Sequence, residues 1–187
     1  MFQFFRMKLY AEYFVIILFF ITLATNFFGM VTTRVHIKSH LCEYISGKYN
    51  HFSEKQVHFP DNLDIYHLIF DLTEKRPAGI PVDSGNLEIV LPDRYGAKHP
   101  ETYNYLGVRA QKIIERKLEV MFWSELREFI DFENHTKGTP YIESICLFMR
   151  KYGIESISED ALQKNYYRWR KKIRNPNKRV YNAKKFQ

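Results

Sequence analysis

One run of sequence limits the fold more than any other. Between Leu106 and Glu133, Ile114, Leu118, Phe122, Leu126 and Phe129 recur at spacings of three and four, with Arg, Lys and Glu between them. That is the signature of a long helix with one face to bury. The rest of the chain must supply what covers it. With 187 residues and 45% hydrophobic content, the chain is long enough for one compact domain with a real core.

Shorter elements flank this spine. "TTRVHIK", Thr32 to Lys38, places Thr33, Val35 and Ile37 on one side of a short strand. "SHLCEYISG" predicts a helix with Ser39 as N-cap, Leu41 and Ile45 on its apolar face and Gly47 as its stop. "QVHF" predicts a second strand. From Pro60 to Pro77, Asp61 is an N-cap candidate and Ile65, Leu68, Ile69 and Leu72 share a helix face. After a Pro/Gly break, Leu87, Ile89 and Leu91 alternate as a third strand.

Beyond the long helix, the loop "NHTKGTP" leads into a helix pair, with Thr139 and Pro140 as N-cap and first helical residue. The first helix, Tyr141 to Tyr152, is expected to bury Ile142, Ile145 and Met149. Gly153 turns the chain. The second starts at Ser158 and runs to about Ile173, with Leu162, Tyr166, Trp169 and Ile173 on one apolar stripe. The expected fold class is therefore α+β: a mostly helical single domain with a small sheet of about three short strands and a C-terminal helix pair. The segments divide as 1–29, an apolar leader; 30–137, the α+β core; 138–175, the helix pair; and 176–187, a basic tail.

Charge is distributed unevenly. After Asp160 there are ten Lys and Arg and no acid, so the remainder is net −3 and the whole excess of +7 lies at the C-terminal end. Clustered cations gain affinity for a polyanion by releasing its condensed counterions. On the second helix of the pair, Lys164, Tyr167, Arg168 and Lys171 oppose the apolar stripe, with Arg170, Lys172 and Arg174 alongside and Lys178 and Arg179 beyond. These nine are the candidate nucleic-acid-binding residues. Tyr166 and Trp169 continue a stripe begun by Leu162 and are expected in the core.

Such a pair has features of helix-turn-helix DNA readers, but departs from them. The turn is stretched by "IESIS", and Glu159 and Asp160 occupy the helix start, where readers contact bases and where acids repel phosphate. Backbone contact is better supported than base readout, and DNA is favoured over RNA as partner. Arg168 is the candidate for guanine recognition.

Other chemistry has little support. Neither a P-loop nor G-x-G-x-x-G is present, and no Ser or Cys nucleophile motif. His36, His40 and Cys42 form a loose H-x3-H-x-C with no second ligand pair at metal spacing. Asp93 with Glu115-Arg116-Lys117 supplies the letters of a metal-dependent nuclease, but Glu115 falls on the long helix rather than on a strand beside the first acid. Cys42 and Cys146 match neither a metal nor a redox pair. The expectation is a non-enzymatic protein with no metal or cofactor.

"YFVIILFFITLATNFFGMV", Tyr13 to Val31, carries no charge and follows Arg6 and Lys8. Three readings fit: a membrane anchor through residues 13–31, a cleaved signal with Thr22 and Ala24 near the cut, or upstream sequence ahead of a start at Met30. The last accords with a cytoplasmic nucleic-acid partner; a membrane partner follows only if residues 1–29 belong to the native protein, which would make it an inner-membrane-anchored or protein-interaction accessory factor.

The stretches "VHIKSHLCEYISGKYN", "FPDNLDIYHLIFDLTEKRP", "GNLEIVLP", "ETYNYLGVRAQKIIERKLEVMFWSELREFI" and "GIESISEDALQKNYYRWRKK" together resemble a group of small proteins carried by prophages and mobile elements of Bacteroides-type bacteria. The resemblance covers Met30 to Arg174. It implies a mobile-element setting and assigns no catalytic residue.

Overall fold

The computed structural model describes residues 30–49, 56–80, 84–94 and 98–174. In chain order these form β1 (Thr32–Val35), α1 (Ser39–Tyr49), β2 (Gln56–Val57), α2 (Asp64–Leu72), β3 (Leu87–Val90), α3 (Val108–Lys137), α4 (Tyr141–Tyr152) and α5 (Glu159–Arg174). The fold is a mostly helical α+β domain with a three-stranded mixed sheet.

The sheet runs β1-β3-β2. β3 pairs antiparallel with β1, with Thr33 opposite Ile89, and parallel with β2, with Val57 opposite Ile89. One face is apolar: Val35, Val57, Leu87 and Ile89 are buried. On the other face Glu88 takes Thr32 Oγ1 at 2.9 Å, Arg34 Nε at 3.2 Å and Gln56 Nε2 at 2.9 Å, tying all three strands through one carboxylate. Burial pushes its pKa up, but these donors outweigh that and leave it below the ordinary value.

The spine is α3, about 45 Å long at the usual helical rise. Ala110, Ile114, Leu118, Phe122, Leu126 and Ile130 are buried along it, and it packs against α1, α2 and α4. Its C-terminal end lies beyond Glu133, because Glu133 is buried and pairs with Lys137 at 2.7 Å, holding the last turn. Gly138, at φ 69°, then closes the helix. The start of α4 shifts by one residue: Pro140 is the cap and Tyr141 the first helical residue.

Three local expectations are corrected. Gly47 does not stop α1, which continues to Tyr49. It is instead a contact point: a Cβ there would lie 2.3 Å from the carbonyl oxygen of Tyr152, at the end of α4. Asp61 does not cap α2, whose cap position is Leu63 without a side-chain hydrogen bond. The predicted inward face of α4 is rotated: Ile145 is buried as expected and Met149 partly, but Ile142 is 54% exposed, while Ser144, Phe148 and Tyr152 face the core. The reason lies on the neighbouring helices. Phe148 enters an aromatic cluster with Phe122, Phe129, Tyr44 and Tyr152, at centroid distances of 5.9, 5.6, 6.3 and 5.0 Å.

One half-buried carboxylate joins three helices at that cluster. Glu125 of α3 accepts from the hydroxyls of Tyr44 and Tyr152 and from Lys48 Nζ. Burial and then the Glu125 hydrogen bond drive both phenol pKa values upward. A tyrosine hydroxyl buried among rings needs such an acceptor.

Candidate nucleic-acid interface

The position of α5 is set from both ends. At its start Ser158 Oγ accepts the Ala161 N–H at 3.3 Å, as its sequence predicts. Ahead of it, Gly153 adopts φ 64° and ends α4. The intervening turn is fixed by Glu43 of α1, whose Oε2 accepts the N–H groups of Glu155 and Ser156 at 2.9 and 3.0 Å and the Ser156 hydroxyl at 2.9 Å. Burial raises the Glu43 pKa, but these three donors bring it below the ordinary value. The stretched "IESIS" linker is thus a held turn rather than a loose one. Glu43 and Gly47 are one helical turn apart on α1, so a single α1 face seats the α4–α5 corner.

Along α5, Leu162 and Tyr166 are fully buried. The Tyr166 hydroxyl donates to Asp131 of α3 at 2.5 Å; burial first, then this bond, raises its pKa. Trp169 is only partly buried, packing on the core while the Arg127 guanidinium of α3 sits over its ring, 4.9 Å from the centroid. Ile173 departs from the expected stripe: it is 57% exposed. The apolar anchor therefore ends at Trp169, and the last turn projects past its neighbours.

The structure sorts the candidate cations into three groups. Lys164 pairs with Asp160 at 2.5 Å across one exposed helical turn, so part of its charge is already answered. Arg170 lies over the Tyr141 ring at 4.8 Å and is partly covered; its contact with the Tyr141 side chain raises its pKa. Arg168, Lys171, Lys172 and Arg174 are exposed, and among the described residues no acidic partner reaches them. Tyr167 is 46% exposed beside them, edge-on to Tyr141. Lys178 and Arg179 lie outside the described residues.

Among the described residues the alternative chemistries have no assembled site. Asp93 lines a hollow with His58, His99 and Glu101, whereas Glu115 lines a different one with His36 and Lys38. Glu115 accepts the Lys38 N–H at 3.1 Å, and Lys117 pairs with Asp64 at 3.0 Å, so both serve to fasten α3. His40 packs on Phe122, and Cys42 Sγ donates to the Asn86 carbonyl at 3.1 Å. Among the described residues no three His, Cys, Asp or Glu side chains gather as a metal site. Most of residues 13–31 lies outside the described residues, and among those described no helix is long and apolar enough to cross a membrane.

A second cationic set was not evident from sequence. Lys75, Arg94 and Lys98 surround Tyr66, Phe70 and Tyr103 near the end of α2. Lys98 Nζ donates to the carbonyls of Phe70, Asp71 and Thr73 at 3.2, 2.8 and 2.9 Å. It acts as a C-terminal cap for α2. No protein-family model, curated protein or solved structure matches the chain, so its functional reading stands on these residues alone.

Proposed function

We propose that the protein binds nucleic acid, with duplex DNA as the first expectation, through phosphate contacts from the solvent face of α5, and that it does so without catalysing a reaction. The observation that carries this reading is the exposed set Arg168, Lys171, Lys172 and Arg174, without acidic partners among the described residues, on a helix fixed by Leu162 and Tyr166. A rigid helix presenting unneutralised cations can track a phosphate backbone at little ordering cost. The acids at the start of α5 argue against reading bases from that end, and Lys178 and Arg179 extend the same positive run in sequence. A cytoplasmic accessory role on a mobile element is the setting that fits the sequence resemblance.

The test is Arg168→Glu with Lys171→Glu, titrated against several duplexes over a range of salt concentrations. Affinity should fall by similar factors for every sequence, and the slope of log affinity against log salt should flatten by roughly two units, at about 0.9 per phosphate contact. An unchanged slope would mean that the basic run only solubilises the chain. Loss confined to one base position would assign guanine readout to Arg168.

A further inference from the structure

Arg127 stands apart from the other cations of α3. Its Nε is buried and has no hydrogen-bond partner. No ion pair engages it among the described residues, and burial alone lowers its pKa; the group stays charged. A guanidinium held partly out of water without an acid is costly, and native structures seldom keep one without use. What holds it is the Trp169 ring, at 4.9 Å. That cation–π contact holds the guanidinium against the ring, and its outer N–H groups can meet an anion as a fork.

The neighbours of Trp169 on α5 give that anion a source. Asn165 lies one turn before Trp169 and Lys172 one turn after it, and Arg168 lies one turn from each of those two. The cationic face of α5 thus continues, around Trp169, onto Arg127 of α3.

We propose that Arg127, held over Trp169, is a phosphate-binding residue on a second helix, and that a nucleic-acid backbone crossing the Arg168–Lys172 side of α5 sets one of its phosphates against this guanidinium. The inference rests on the nucleic-acid reading of α5. It extends the contact surface from one helix to two.

Fluorescence anisotropy of a labelled duplex with the full chain, across a salt series, tests it with three variants. Arg127→Gln should weaken binding about tenfold, the scale of one charge-assisted hydrogen-bonded contact, and flatten the salt slope by about 0.9. Arg127→Lys should keep the slope and still lose affinity, because an ammonium supplies the charge but not the fork. If Arg168→Glu with Lys171→Glu flattens the slope while Arg127→Gln leaves slope and affinity unchanged, Arg127 is a packing residue and this inference alone is overturned. If the wild type shows no salt-dependent binding, the α5 reading fails and takes this one with it. Should Arg127→Gln not fold, Arg127→Lys carries the test, and wild-type affinity in that variant overturns the proposal.

Discussion

Replacing Gly47 by Ala separates an open helix interior from one packed against the backbone of α4, because the two give opposite signs. Gly47 lies inside α1, and in an open helix interior alanine would stabilise by about 1 kcal/mol relative to glycine. The structure removes the open space. A Cβ at Gly47 would lie 2.3 Å from the carbonyl oxygen of Tyr152 and 2.9 Å from its carbonyl carbon and Cα. Relief requires a shift of about 1 Å in the backbone at the end of α4, since ordinary contacts begin near 3.4 Å. That backbone is not free to move: the Tyr152 hydroxyl is bound to Glu125, and the following turn is bound to Glu43. Overpacking of this kind costs about 1–3 kcal/mol, and a neighbour that is fixed backbone places it at the upper end. After the gain in helix propensity is subtracted, a net loss of about 2 kcal/mol remains. In a chain of this size that lowers the thermal midpoint by about 4–8 °C. Urea denaturation followed by circular dichroism reads the free energy directly. A Gly47→Ala protein as stable as the wild type, or more so, would refute the close seating of α1 on α4.

Two further perturbations probe the elements that place the candidate site. Tyr166→Ala should cost about 3–5 kcal/mol, as truncation of a fully buried aromatic does, whereas Ile173→Ala should cost less than about 0.5 kcal/mol because the side chain is largely exposed; similar losses in denaturant titrations would mean that the apolar anchor runs the whole length of α5. The Glu43 carboxyl has a folded pKa below its unfolded value, so its contribution is present above the unfolded pKa near 4.5 and disappears as pH falls through the lower folded value. Glu43→Gln should therefore destabilise at neutral pH and flatten the acid limb of a stability-against-pH curve. An acid limb identical to the wild type's would show that the turn does not depend on that carboxylate.

The sequence by itself determined the secondary elements and which faces could be buried. Apolar spacing located α3, α5 and the strands; Ser158, Gly138 and Gly153 marked ends that the structure keeps. Those signals are local, since a cap or a 3.6-residue period acts within one or two turns. The tertiary structure decided which available face is used and what covers it. On α4 two stripes share Ile145, one through Ile142 and Met149 and one through Phe148 and Tyr152. Nothing in α4 itself chooses between them. The choice falls to Phe122, Phe129 and Tyr44, which offer Phe148 an aromatic cluster. Gly47 read as a helix stop for the same reason: only the approach of Tyr152, more than a hundred residues away, reveals a contact that excludes a side chain. At the candidate interface the α5 cations were legible because they cluster within one short stretch of sequence. Arg127 was not, because among the alternating charges of α3 it is distinguished only by the ring that α5 lays against it.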